Sequence, residues 1–177
     1  MDAFDVLMED HEIILEAIGI LEQSIRRELP TDFFLKLLDI IRNFADRCHH
    51  GKEETALFPL VKQKDASQSE NISILLEEHE KGRTLIAALS QAIDKNDPQS
   101  KISNANDYFQ LLTQHIRKEN KLFVSWFRML NSNDKDTLSE EFERTEEMVI
   151  GKGKHGEYIA TLKNMRAQIQ QSRALQS

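Results

Sequence analysis

A chain of 177 residues with 23 basic and 30 acidic side chains, only 6 Gly and 3 Pro, and a net charge of −7 can bury the core of one domain and is biased toward long helices. The acidic balance and the scattered basic residues exclude a general nucleic-acid footprint, and no apolar run approaches a membrane span. Cys48 is the only cysteine, which excludes an internal disulfide. With the acidic start MDAFDVLMED, which lacks a signal core, it points to the reducing cytoplasm.

The first helix is predicted from about Asp2 to Leu29. Phe4, Leu7, His11, Ile14, Ile18 and Leu21 recur along one face at three- and four-residue spacing. Pro30 stops it, and Thr31 or Asp32 can cap the second helix. That helix carries Leu35, Leu38, Ile41, Ala45, His49, Glu53, Ala56 and Leu60, and Pro59 should kink or fray its end. The polar stretch Lys64 to Ser69 reads as a turn. The third helix presents Ile72, Leu75, His79, Gly82, Ile86, Leu89 and Ile93. Asp97–Pro98 reads as an N-cap followed by proline at the first helical position. The fourth helix presents Ala105, Tyr108, Leu112, His115, Glu119, Leu122 and Trp126, and ends near Asn131–Asp134. The predicted fold is therefore all-α: an up-down-up-down four-helix bundle over residues 1–130, with a C-terminal helical extension over 131–177. The extension reads as an acidic helix to about Ile150, a Gly151–Gly153 turn, and a helix from about His155 to Ser172. Its apolar residues, Phe142, Met148, Ile150, Ile159, Leu162 and Met165, predict packing on the bundle or on a second copy as a homodimer.

Four polar residues sit in the apolar stripes, one per helix: His11, His49, His79 and His115. Polar side chains are seldom buried without partners, so four in phase call for a common cause. His11 and His49 each lie 19 residues from Pro30, and His79 and His115 each lie 18 residues from Asp97. The turn near Lys64 lies about 15 residues from both His49 and His79. At ~1.5 Å per residue, helices of matched length bring all four imidazoles to one height. Two of them carry a glutamate four residues on, His49–Glu53 and His115–Glu119, on the same helix face. The arrangement repeats over two hairpins, which suits two metal ions bridged by two carboxylates. A mixed nitrogen and oxygen set without thiolate favours two non-haem iron ions, with an oxo or hydroxo bridge as a further ligand; zinc or manganese can substitute. A ferritin-like site would need Glu-x-x-His motifs, and the sequence has none.

HHGKEETALFP (49–59), MEDHEII, LEEHEKGR and HIRKENKLF together resemble the four helix motifs of the hemerythrin family, in its bacterial cation-binding branch, over about residues 1–130. The resemblance implies the metal ligands His11, His49, Glu53, His79, His115 and Glu119. Oxygen-carrying members have a further histidine one turn before the position of His79. Here that position is Leu75, as in the four-histidine branch linked to nitric oxide chemistry. An open iron position should then favour redox reaction over reversible oxygen storage.

Other readings stand beside these. His50–Glu54 is also an HxxxE pair; the core phase favours His49–Glu53, leaving His50 and Glu54 solvated or behind the ligands. Tyr108 and Trp126 read as core residues, although the Tyr108 hydroxyl could reach the metal cavity. Cys48 reads as a buried inert thiol. Glu146, Glu147 and His155 read as a solvated face rather than as ligands. The leading function is a di-iron protein that binds or reacts with O2, NO or H2O2. The alternative is an iron- or oxygen-responsive sensor or interaction module without turnover. A metal-free phosphotransfer bundle would have to rely on His50 alone.

Overall fold

The computed structural model describes residues 2–151 and 153–174, the last three by backbone alone. Among them are six helices and no strand: α1 (Ala3–Ser24), α2 (the helical run 31–64), α3 (Ser69–Asp94), α4 (Pro98–Met129), α5 (Ser132–Val149) and α6 (Lys154–Ala174). The first four form an up-down-up-down bundle. None of the described helices is long and apolar enough to cross a membrane.

Local chemistry fixes most of the ends. Asp2 and Asp5 cap each other's backbone at the start of α1, and Asn131 and Asp134 do the same for α5. Asp97 accepts from the Ser100 N–H at 3.1 Å with Pro98 opening α4, as expected. Two boundaries differ from expectation. α1 stops at Ser24 rather than near Leu29, where tight turns take over: the Arg27 N–H bonds the Ser24 carbonyl at 2.9 Å and the Leu29 N–H the Arg27 carbonyl at 3.0 Å. The linker is also held to α6, where Arg27 Nη1 donates to the Ile169 carbonyl at 2.9 Å. At the start of α2 neither Thr31 nor Asp32 caps; Pro30 occupies the N-cap position without a side-chain bond.

α2 is the irregular helix. It is α-helical over Thr31–Ile40 and Phe58–Lys64, but π-helical over Ile41–His50 and Glu53–Leu57. The wider turns are visible in bonds that span five residues: the Gly51 N–H reaches the Asp46 carbonyl, and the Phe58 N–H reaches the Glu53 carbonyl. Pro59 does not fray the helix. The wide turn just before it leads into regular helix to Lys64. Such π segments are rare and tend to mark functional positions.

The core falls into two apolar layers. One, at the end carrying Pro30, contains Ile18, Leu21, Leu38, Phe44, Leu89 and Leu112, together with Leu162, Met165 and Ile169 of α6. The other contains Leu7, Leu57, Leu75, Phe123 and Trp126, together with Leu138 and Phe142 of α5. The extension therefore packs on its own bundle, one helix against each layer. Gly151 and Gly153, with φ of +90° and +78°, sit in the turn between those helices, where a side chain would be strained. Between the layers lies a band of buried polar residues: Asp10, His11, His49, His50, Lys52, Glu53, His79, His115 and Glu119.

Phe142 is 2% exposed, so Phe142→Ala should destabilise the full chain by about 3 kcal/mol or more. Chemical denaturation measures this. A loss below about 1 kcal/mol would mean that the bundle does not hold α5.

Candidate metal centre

The periodicity of each helix turns one histidine into the polar band: His11 from α1, His49 from α2, His79 from α3 and His115 from α4. Each is at most 2% exposed. Glu53 and Glu119, one turn beyond His49 and His115, are wholly buried beside them. The six residues singled out in the sequence thus converge on one site.

The two carboxylates span it. Glu53 presents Oε1 to His49 Nε2 at 3.3 Å and Oε2 to His79 Nε2 at 3.5 Å. Glu119 presents Oε2 to His11 Nε2 at 3.2 Å and Oε1 to His115 Nε2 at 3.1 Å. Each carboxylate therefore faces both halves of the site with a different oxygen. The donor atoms form two groups, His11, His49, Glu53 and Glu119 in one, and His50, Glu53, His79 and His115 in the other, with all atoms of a group within 4.8 Å of one another. Adjacent ligands on a metal with bonds of ~2.1 Å lie roughly 3 Å apart, close to these spacings.

His50 is the residue that sequence periodicity misplaced. It is 4% exposed, not solvated. In a regular helix His49 and His50 would face well apart; the π-helical segment ending at His50 advances by a smaller angle per residue and keeps both rings inside. His50 stacks on His79 with centroids 3.8 Å apart and planes 12° apart. Neither of its ring nitrogens has a hydrogen bond. Burial, then the neighbouring imidazoles, hold its pKa well below the usual histidine value, so the ring is neutral and keeps a free lone pair. It comes from α2, whereas the position of Leu75 on α3 is filled by a fully buried leucine.

The outer nitrogens of the other four imidazoles are held in a ring of side chains. Asp10 Oδ2 takes the Nδ1–H of His49 (3.2 Å), Glu54 Oε1 that of His79 (2.7 Å), Glu78 Oε2 that of His115 (2.9 Å), and Asn120 Oδ1 that of His11 (2.7 Å). Each helix thus supplies an acceptor to the histidine of the next, and α4 closes the ring on α1. Each acceptor is the chain neighbour of a residue facing the site: Asp10 of His11, Glu54 of Glu53, Glu78 of His79, Asn120 of Glu119. With Nδ1 occupied as donor, the Nε2 lone pair is left to point inward, the orientation a metal ligand needs. Arg83 Nη2 donates to Glu54 at 2.7 Å, and Lys118 pairs with Glu78.

What the inner atoms lack is equally informative. His11 Nε2, His49 Nε2 and all four oxygens of Glu53 and Glu119 are buried without a hydrogen-bond partner. Polar atoms are not normally left so, and cations held among them would satisfy all six. The donor set therefore fits metal ions. A family model, the hemerythrin HHE cation-binding domain, matches residues 2–127. The chain belongs to this family. Comparison with the curated proteins and with the solved structures found no match. The shared chemistry of the HHE domain is cation binding, and the two His/Glu groups are where this chain can hold a metal.

Residues outside the two groups also find their places. Cys48 is fully buried, and burial pushes its thiol up to about 12, in keeping with an inert residue. Trp126 is buried and donates from Nε1 to Gln68 at 2.9 Å. Tyr108 is buried and, with Ile41, Asp46, His50, His79 and Arg83, lines a half-open cavity of about 370 Å³ that runs from the surface to the imidazoles. Glu146 and His155, expected on a solvated face, instead reach the polar band: Glu146 Oε2 lies 3.2 Å from the buried Lys52 Nζ, and His155 Nδ1 lies 3.7 Å from Glu146 Oε1. Tertiary packing of the extension decides this, and one-dimensional periodicity does not carry it.

Without metal, burial pulls the His49 and His115 pKa values down, but the carboxylates override it. His49 rises to about 10, through Glu53 and Asp10, and His115 to about 9, through Glu119. Both rings therefore carry protons at neutral pH in the metal-free chain, and cation binding must displace them. Loading the metal-free protein near pH 7 should release protons, and its apparent affinity should rise as pH rises toward 9. A pH indicator in weak buffer, with titrations across that range, measures both. Affinity that is flat from about pH 6 to pH 9 would contradict the assignment.

Proposed function

We propose that this HHE protein holds a non-haem di-iron centre that binds or reacts with a small molecule such as O2, NO or H2O2. The observation that carries the reading is the pair of buried carboxylates, Glu53 and Glu119, each turning one oxygen to each half of the site with no hydrogen bond to satisfy it. One ion would leave half of those oxygens unsatisfied, whereas two ions use all four. Imidazoles and carboxylates without thiolate suit iron.

The proposed ligands are His11, His49, Glu53, His79, His115 and Glu119, joined by His50. The iron pair, when bound, supplies electron exchange with the incoming molecule. The protein supplies the rest. Glu53 and Glu119 tie the two halves together, and the ring of Nδ1 acceptors fixes the imidazoles. With both carboxylates shared, the half with His50, His79 and His115 has one protein donor more than the half with His11 and His49. The second half is thus where an exogenous ligand finds room. Its four residues are at most 1% exposed, Leu7, Leu75 and Leu112 are at most 2% exposed, and the Phe123 ring stacks over His11 at 5.7 Å. So enclosed a position favours a ligand of two or three atoms over a bulky one.

Anaerobic iron loading followed by elemental analysis should give about two irons per chain, with near-ultraviolet bands that grow on exposure to air or peroxide. Absence of iron after reconstitution would overturn the reading. His79→Ala should reduce the iron content. His50→Ala should weaken the hold of its half on iron, and His50→Leu combined with Leu75→His should recover part of the loss, since it returns an imidazole from α3. His50→Ala with two tightly held irons would remove His50 from the ligand set without touching the other six.

A further inference from the structure

Of the four acceptors in the imidazole ring, three keep some contact with solvent or the bundle surface. The side chains of Glu54 and Glu78 are 25% and 21% exposed, and Asn120 is partly exposed. Asp10 is fully buried. A buried carboxylate needs a compensating charge, and Lys52 provides it, its ammonium 2.9 Å from Asp10 Oδ2, the same oxygen that takes the His49 proton. Lys52 is itself fully buried. Its second anion is Glu146, 3.2 Å away on α5. His155 on α6 completes the group, with Nδ1 at 3.7 Å from Glu146 Oε1 and 4.0 Å from Asp10 Oδ1. The HHE match ends at residue 127, so both of these residues come from outside the matched domain.

We propose that Glu146 and His155 are positioning residues of the metal centre: Glu146 holds Lys52, His155 holds Glu146 and lies beside Asp10, and through Lys52 and Asp10 they steady His49, so that docking of the C-terminal helices and metal occupation of the His11–His49 half stabilise each other. This rests on the di-iron reading above. The physical step is competition for one oxygen. Asp10 Oδ2 serves both the His49 imidazole and the Lys52 ammonium. Without Glu146, Lys52 has Asp10 as its one remaining carboxylate and draws that oxygen away from His49. The imidazole then loses the bond that aims its Nε2 inward, the kind of support whose loss costs about 10–100-fold in metal affinity. The other half of the site does not feel this, because His79 and His115 take their support from Glu54 and Glu78. Linkage makes the coupling reciprocal. An ion that fixes His49 also fixes Asp10 and Lys52, and so strengthens the seat of α5 and α6. The extension thereby reports the loading of one half of the centre, which gives a physical basis for a metal-responsive surface.

The experiment uses the full chain, anaerobic Fe(II) titration against a chromophoric chelator, and hydrogen exchange of residues 132–174. In wild type, exchange in the extension should slow on loading. Glu146→Gln keeps the side-chain volume and removes the charge. It should bind the first iron like wild type, bind the second about 10–100-fold more weakly, and lose the loading-dependent protection. Glu146→Asp, which keeps a carboxylate, should restore most of both. A merely structural Glu146 would lower the melting temperature without separating the two affinities. Two irons bound as in wild type by Glu146→Gln, or extension exchange that ignores loading in wild type, would overturn the proposal and leave the di-iron reading standing. Failure of wild type to bind iron at all would overturn both, and is distinguished by needing no variant.

Discussion

The molecule is organised around a cost: polar side chains are fully buried at mid-height in a helical bundle. Glu53 and Glu119 have no exposure and no hydrogen bonds on their oxygens, and five imidazoles surround them. Burying such carboxylates costs several kcal/mol each by general estimates, roughly the scale of a domain's whole stability, and the imidazoles beside them offset this only in part. The two apolar layers above and below the band supply the burial that lets the bundle tolerate it. The same layers shield the site from water and strengthen every electrostatic contact within it. Cations bound among the Nε2 and Oε atoms would turn this liability into cohesion, because they would join all four helices at once.

The ring of acceptors explains how four separate helices agree on one geometry. Each helix contributes a polar doublet: Asp10–His11, Glu53–Glu54, Glu78–His79 and Glu119–Asn120. One member faces the centre, and the other reaches sideways to the imidazole of the next helix. Rotation of any one helix about its axis would therefore misplace its own inward residue and also release its neighbour's histidine. The arrangement couples helix orientation to ligand orientation, a constraint that apolar packing alone would leave looser.

Much of this was legible in the sequence, because regular helices convert spacing into position. Equal distances of His11 and His49 from Pro30, and of His79 and His115 from Asp97, place four imidazoles at one height, and the i,i+4 glutamates fall on the same faces. The acceptors were not legible as such, since a doublet shows that two polar residues are adjacent without showing which neighbouring helix the second one meets. His50 was misread for a different reason. Its inward placement depends on π-helical backbone over Ile41–His50, and a 3.6-residue period assigns it to the wrong face. One signal for that departure was available: HHGKEE offers two overlapping HxxxE pairs, and a wider turn allows both histidines to be used. The roles of Glu146 and His155 depend on where α5 and α6 dock, which follows from the complete three-dimensional packing.

The corner between α1, α2 and the extension differs from the other three for a structural reason. Where α3 and α4 border the site, their acceptors stay near the surface, and their compensating cations, Arg83 and Lys118, are themselves about a third exposed or more. Screening by water makes those pairs weak contributors to stability. At the fourth corner the extension covers the surface. It excludes the water that would otherwise solvate Asp10 and Lys52, and so must replace it with charge of its own. Glu146 and His155 are that replacement. A helix that covers an ionised second layer without supplying such groups would strand a buried ammonium, so the seating of the extension and the chemistry behind His49 could not vary independently. The C-terminal helices are thus joined to the centre at the one histidine whose support is cut off from solvent.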